Sequence, residues 1–247
     1  MKNLIFADIK RILRKPSYWV VTGICLIISL LWTLRAKSGG ITGLAFATYQ
    51  GTALNSMNLF LGIAIFVSVY ADEFSSNSMQ CLIGRGISRK NLLIAKFVNC
   101  VIVTFISYGL YTLFATITAI SAGAGMNSSE SAYLYGTVLT DAFLVLGYAT
   151  IAMIILFWSK NVAFATLVDA FLLFAGNTFA EIFVKLPVIK HMHIERHFLA
   201  QALECAKVDL LLTGGGAIFS MLWHICKVCV ISVALAYLLF RKKELDF

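Results

Sequence analysis

The chain has few charged residues for its length. Only 13% of its 247 residues are Asp, Glu, Lys or Arg, whereas 60% are hydrophobic, and its mean hydropathy is +0.87. A water-soluble domain carries about 25% charged residues, because its surface must be solvated. The composition excludes an ordinary soluble domain and predicts a bundle of helices in lipid.

Proline is also scarce, and both prolines, Pro16 and Pro187, lie outside the long apolar runs. We therefore expect transmembrane helices that are not kinked by proline. No Gly-Lys pair occurs either, so the chain cannot contain the Gly-x-x-x-x-Gly-Lys-Ser/Thr loop that cradles nucleotide phosphates. The six cysteines lie mostly in apolar runs without zinc-type spacing and are expected to be free thiols. The chain is not expected to be an enzyme or to hold a metal.

Six apolar runs are long enough to cross a bilayer. A hydrocarbon core of roughly 30 Å needs about 20 helical residues. The runs that qualify are 18–34, 52–70, 97–119, 136–158, 162–183 and 217–240. Only three residues separate the fourth and fifth runs, which predicts a tight helical hairpin.

Two shorter helical patterns accompany these runs. Residues 1–16 read as an amphipathic helix in the membrane interface, since Ile5, Phe6 and Ile9 share one arc and Pro16 ends the pattern. A second pattern, near 195–212, lies in the long external loop 184–216. The predicted fold is all-α: one transmembrane domain over 1–247, with six spans, an N-terminal interfacial helix and an external helical segment.

The positive charge indicates which loops face the cytosol. With the N-terminus inside, thirteen Lys and Arg lie in cytosolic segments and six in outer loops. Cytosolic loops carry the excess of positive charge, so both termini are expected in the cytosol. The net charge of +8 clusters at the ends of apolar runs, where it contacts lipid head groups. Nucleic-acid binding is not predicted.

The cytosolic loop 71–96 is the most informative stretch of the sequence. It opens with Asp72-Glu73, turns at two glycines and ends in basic residues that enter the third span. Ser88 is expected to cap the helix that follows. Met79, Leu82 and Ile83 would expose apolar area unless they met a partner. The loop is therefore either a solvated connection with lipid anchors or a docking helix for a soluble protein.

The order of residues in this loop resembles the type-2 ABC exporter permeases. In that family the segment commonly reads Glu, a small pair, two leucines and a Pro-x-Ser-Arg turn. Glu73, Leu82, Ser88 and Arg89 fit this pattern. Ser76-Asn77-Ser78 stands where the small pair is usual, and Gly86 replaces the proline. The interfacial helix, six spans, cytosolic termini and helical segment before the last span are also similar to that family.

The resemblance implies a function and a set of partners. Two permease subunits, identical or sister chains, pair around a path in the bacterial plasma membrane, and each docks a separate ATPase that binds ATP and Mg. The loop 71–91 would form the ATPase-coupling site. Its residues are Glu73, Phe74, Met79, Leu82, Arg85, Ser88 and Arg89. The size of the chain is similar to that of permeases of bacteriocin- or lantibiotic-immunity and peptide-export systems, which implies antimicrobial or amphipathic peptides, or drugs, as substrates.

Three charged residues fall inside the apolar runs. Asp141, Asp169 and Lys227 lie in the fourth, fifth and sixth runs. Charge in hydrocarbon is costly and usually functional, so these side chains are candidates to line a path for a cationic or amphipathic substrate. The alternative is structural: a pair such as Asp141 with Lys227, or side chains that snorkel to the interface.

Two other functions compete with the permease interpretation. An ion-coupled carrier would use Asp141 and Asp169, and it predicts broken helices or inverted repeats, which the sequence does not show. An intramembrane hydrolase would use Ser220 and His224, one helical turn apart, but no orienting acid is evident in the sequence.

Overall fold

The computed structural model describes residues 2–38, 42–75, 83–84, 86–185, 198–213 and 216–242. Within these ranges the regular structure is entirely helical, which confirms the all-α prediction. The helices are α1 (Lys2–Ile12), α2 (Pro16–Ser38), α3 (Gly43–Ser75), α4 (Arg89–Ala122), α5 (Ser128–Ser159), α6 (Val162–Lys185), α7 (Leu199–Thr213) and α8 (Gly216–Lys242).

Five of these helices are long and apolar enough to cross a membrane: α2, α3, α4, α5 and α8. The sixth predicted span is α6, whose apolar stretch within the described residues, Val162–Gly176, is shorter than that threshold. The chain is thus a multi-pass helical bundle by length and composition, and the count of six spans remains a prediction.

Helix α5 forms the centre of the bundle. It packs against α3, α4, α6, α7 and α8. In its apolar window 67% of the residues are buried, against 28% in α2 and 22% in α8. Helices α2 and α8 therefore lie at the periphery, and their exposed apolar faces are available to lipid or to another protein.

Local signals in the sequence explain where the helices end. Pro16 begins α2 as predicted, and the side chain of Trp19 ties the preceding turn by donating to the Leu13 carbonyl at 2.6 Å. The α5–α6 hairpin turns at Lys160, which has φ 58° and donates its N–H to the Leu156 carbonyl at 2.8 Å. The side chain of Asn161 then accepts from the Phe164 N–H at 3.2 Å. The predicted tight hairpin is confirmed.

Helix α7 runs antiparallel to the amino-terminal half of α8. Near its start, Leu199 shares a cavity with Val228 and Ile231, while Val208 shares another with Ser220. Val228 is about 18 Å from the first residue of α8, at roughly 1.5 Å per residue. The predicted helical segment is confirmed, but it packs against α5, α6 and α8 along their sides.

Helix α1 contacts the bundle through only part of its apolar arc. Phe6 is 70% exposed, whereas Asp8 and Ile12 are buried. The apolar arc is therefore split, with Ile12 directed into the bundle and Phe6 left outward. A carboxylate occupies the face of α1 that contacts the rest of the protein.

Candidate functional site

A buried ion pair joins α1 to the amino-terminal part of α4. The Lys96 ammonium lies 2.5 Å from Asp8 Oδ2, and the Asn99 amide donates to the same oxygen at 3.0 Å. Arg11 lies 3.6 Å from Asp8 Oδ1. We call Asp8, Arg11, Lys96 and Asn99 the amino-terminal latch. Lys96 is only 1% exposed, and these contacts give its buried side chain an acidic partner.

The latch was missed in the sequence. In the sequence analysis Lys96 is one of the thirteen basic residues assigned to cytosolic segments, and Asp8 is not singled out. One signal was present, because Asp8 is the only acidic residue in the otherwise basic α1. Its partner could not be identified, since the two residues are 88 positions apart in the chain.

The start of α4 has the cap that the sequence predicted. Ser88 accepts a hydrogen bond from the Asn91 N–H at 3.3 Å. Gly86, which replaces the usual proline of the family pattern, has φ 87° and donates its N–H to the Ile83 carbonyl at 2.9 Å. Proline is fixed near φ −65° and has no N–H, so this turn requires the departure from the family pattern.

Arg89 contacts the carboxyl end of α8. Its guanidinium donates to the Phe240 carbonyl at 3.0 Å and lies 5.5 Å from the centre of the Phe240 ring. The last carbonyls of a helix carry partial negative charge, which favours a cation there. Arg89 was predicted to couple to an ATPase, and the contacts seen here join α4 to α8 within the bundle.

An aromatic stack connects the end of α3 to the same place. The half-buried Phe74 ring lies 5.3 Å from Phe157 on α5, which lies 4.9 Å from Phe240 on α8. Glu73 belongs to α3, but its side chain lies outside the described part of the structure. Met79, Leu82 and Arg85 also lie outside the described residues.

Polar side chains link α2, α3 and α4 inside the bundle, with Gln50 at the centre. The Gln50 carbonyl oxygen accepts from the Ser29 hydroxyl at 2.7 Å and the Tyr111 hydroxyl at 2.9 Å. Its amide donates to the Thr33 hydroxyl at 2.7 Å. Gln50 is fully buried, so these bonds satisfy a group that lipid cannot solvate. The sequence analysis did not single out Gln50.

Asp141 lies beside this network, 4% exposed. Asn58 lies beside it, and Lys207 and Glu204 of α7 are its charged neighbours. Asn58 in turn accepts from the Tyr108 hydroxyl at 2.7 Å. The structural alternative in the sequence analysis was a pair with Lys227. Lys207 of α7 is the lysine that lies near Asp141, and its ammonium is paired with Glu204.

Asp169 is completely buried between α6 and its neighbours. Tyr70 and Cys100 lie within electrostatic range, and neither carboxylate oxygen has a hydrogen-bond partner among the described residues. Two of the three predicted path residues, Asp141 and Asp169, are therefore enclosed by protein.

Lys227, the third predicted path residue, lies beside a cavity. Its ammonium lies 5.7 Å from the centre of the Trp223 ring, and it lines a cavity of about 320 Å³ with His224. An adjoining cavity of about 530 Å³ is lined by His224, Ser220 and Glu204. Glu204 thus shares a cavity with Ser220 and His224, the two residues of the intramembrane-hydrolase alternative. The Glu204 carboxylate is paired with the Lys207 ammonium at 2.7 Å.

Comparison with known proteins identifies a family for nearly the whole chain. A family model described as "Protein of unknown function (DUF2705)" matches residues 20–245, from α2 through α8. The comparison with curated proteins gives no match.

Proposed function

The chain belongs to the DUF2705 family, and from the contacts of its own residues we propose that it is the membrane-spanning permease subunit of an ATP-driven exporter of the type-2 ABC class. It forms the translocation path with a second permease subunit in a bacterial plasma membrane, with both termini in the cytosol. The loop between α3 and α4 docks a separate ATPase that holds ATP and Mg. Its substrates are amphipathic peptides or drugs.

The observation that carries this proposal is the convergence of both ends of the loop on Phe240. From the α3 side, Phe74 reaches Phe240 through the Phe157 ring. From the α4 side, Arg89 holds the carbonyl and the ring of the same residue. A displacement of the loop is thereby transmitted to α5 and α8. A loop that only connects two spans would not need these contacts.

The amino-terminal latch adds a third point of contact. Because Lys96 is two turns into α4, the ion pair to Asp8 makes α1 move with α4. Closure of two docked ATPases would shift the loops, and α1, α4 and α8 would follow together. Alternation between two packings of the bundle then opens the path on one side at a time.

The test is co-purification of an ATPase with the full chain. The tagged protein is cross-linked in membranes of its native host, purified, and its partners are identified by mass spectrometry. A variant in which residues 76–82 are replaced by a Gly-Ser linker of equal length is expected to lose the ATPase. Lys160→Gln, at the exposed turn of the α5–α6 hairpin, is the matched control and is expected to retain it.

Two results would contradict the proposal. One is the absence of any co-purified protein with a phosphate-binding loop from the wild-type preparation. The other is an ATPase that stays bound after the 76–82 replacement, since its docking site would then lie elsewhere.

A further inference from the structure

The space between α7 and α8 forms a groove in the outer half of the bundle. Two adjoining cavities of about 320 and 530 Å³ meet at His224, which lines both. We call this the α7–α8 groove. Its sides carry the polar groups Glu204, Ser220, His224 and Lys227, and the apolar side chains Leu199 and Ile231.

One lysine of the groove, Lys227, has no acidic partner among the described side chains. Glu204 is neutralised by Lys207, whose ammonium lies 2.7 Å from its carboxylate. Within the described ranges no carboxylate forms an ion pair with Lys227, whose neighbour is the Trp223 ring. Asp141 and Asp169 are buried in the bundle and line neither cavity. Among the described side chains that line the two cavities, Lys227 is the charged group without an ion-pair partner, and it favours an anion.

The depth of Lys227 restricts the kind of anion. Lys227 is eleven residues from the start of α8, or about 16 Å along the helix at roughly 1.5 Å per residue. A charge at such depth is costly, and a bound counter-ion offsets that cost. A carboxylic acid can reach the site in its neutral, protonated form, whereas a phosphate diester would have to carry its charge through hydrocarbon.

The surroundings of the groove suit an apolar chain. Ile231, which is 58% exposed, lines the cavity next to Lys227, and Leu235 and Leu238 continue along α8 with about half of their surface exposed. A hydrocarbon chain lying on this face would bury apolar area without blocking the polar end of the groove.

We propose that the α7–α8 groove binds an amphiphile with a carboxylate head group, which pairs with Lys227 while the apolar chain follows α8 toward Leu238. This inference rests on the proposed function and narrows its substrate class to carboxylic amphiphiles. It also assigns the two buried acids, Asp141 and Asp169, to the framework of the bundle, so that the path does not select cations.

The test uses a fatty acid and its neutral ester as probes. The full chain is reconstituted in phosphatidylcholine vesicles with stearic acid that carries a nitroxide near its methyl end, at a pH where the acid is ionised. The fraction of immobilised probe is measured by electron paramagnetic resonance. The methyl ester of the same probe differs only in charge. The acid is expected to be retained more strongly than the ester.

Variants locate the site. Lys227→Met is expected to weaken binding of the acid roughly tenfold and to leave the ester unchanged, since only a charge-assisted hydrogen bond is lost. Lys227→Arg retains the charge and should retain the preference. Ile231→Trp narrows the cavity while keeping the lysine, and should weaken both probes. Lys90→Met, an exposed lysine at the start of α4, is the control and should bind as wild type.

Three outcomes would overturn the inference. The first is equal retention of the acid and the ester by the wild type. The second is a Lys227→Met variant that still prefers the acid over the ester. The third is displacement of the acid by phosphatidylglycerol as effectively as by unlabelled stearate, which would indicate a general anionic-lipid site. The experiment needs no ATPase, so its failure leaves the co-purification test of the proposed function intact. A failed co-purification likewise does not affect the measurement of fatty-acid binding in the α7–α8 groove.

Discussion

Asp8 on α1 and Lys96 on α4 form an ion pair in which both side chains are buried, with the ammonium 2.5 Å from the carboxylate. Helix α1 is short, and its amphipathic pattern alone would let it lie anywhere on the membrane surface. The ion pair and the additional bond from Asn99 fix it to one place on α4. The N-terminal helix is thereby part of the bundle.

Removing one partner of this pair should destabilise the protein strongly. Asp8→Asn leaves the Lys96 ammonium buried without the Asp8 carboxylate, and Lys96→Met leaves the buried Asp8 carboxylate with Arg11 alone, 3.6 Å from Oδ1. Each is expected to lower the free energy of unfolding by about 3–5 kcal/mol. The measurement is a titration with denaturing detergent. Lys10→Gln, an exposed charge on the same helix, is the control and should behave as wild type.

The exchanged pair separates a specific contact from general damage. Asp8→Lys combined with Lys96→Asp restores opposite charges at the same positions, and should recover part of the loss seen in either single variant. If Asp8→Asn unfolds at the same detergent concentration as Lys10→Gln, α1 is not held by this contact.

How much of this arrangement could be predicted depends on whether the signal is local. Apolar runs, the Ser88 cap and the Lys160 hairpin are encoded within a few residues, and each was located from the sequence. The ion pair of Asp8 with Lys96 and the placement of Lys207 and Glu204 near Asp141 bring together residues far apart in the chain. They depend on how the helices are rotated and how deeply they lie, which hydrophobic periodicity does not specify. Lys207 was accordingly counted as an outer-loop charge.

Gln50 should matter more than an exposed polar residue on the same helix. Gln50→Leu preserves volume but removes its bonds to Ser29, Thr33 and Tyr111. Interhelical hydrogen bonds in membranes contribute on average about 0.6 and up to about 1.7 kcal/mol each, so a loss of about 1–3 kcal/mol is expected. Thr52→Ala, exposed on α3, is the control. Equal unfolding of the two variants would mean that the network does not stabilise the α2–α3–α4 packing.

The position of α7 depends on a glycine in the central helix. A Cβ on Gly147 would overlap the Leu199 side chain, whereas a Cβ on Gly109 of α4 meets nothing within 4 Å. Gly147→Val is therefore expected to displace the start of α7 and to destabilise the protein by about 1–3 kcal/mol, while Gly109→Val has little effect.

A second substitution checks this mechanism. Leu199→Ala removes the side chain that the new valine would meet, so the Gly147→Val, Leu199→Ala double variant should be more stable than the sum of the two single effects. If the two single losses of unfolding free energy simply add in the double variant, Gly147→Val destabilises the protein through a contact other than Leu199.

The number of spans can be tested with reporter fusions. With six spans, green fluorescent protein fused to the C-terminus folds in the cytosol and fluoresces, and alkaline phosphatase inserted after Gly125, between α4 and α5, is exported and active. If α6 does not cross the membrane, the C-terminus moves to the other side and the C-terminal fusion is dark. A phosphatase insertion after Lys160 should be inactive in both cases, and serves as the control.

Arg89 should transmit motion more than it binds the ATPase. Its guanidinium is held by the Phe240 carbonyl and ring, so its contacts are directed into the bundle. Arg89→Gln is expected to cost about 0.5–1.5 kcal/mol of stability and to reduce transport or substrate-stimulated ATPase activity severalfold, while the ATPase still co-purifies. Lys90→Gln, the exposed neighbour, should change neither property. If Arg89→Gln loses the ATPase, this arginine is instead part of the docking surface. If the variant couples ATP hydrolysis to transport as well as wild type does, the loop does not move α8 through Phe240.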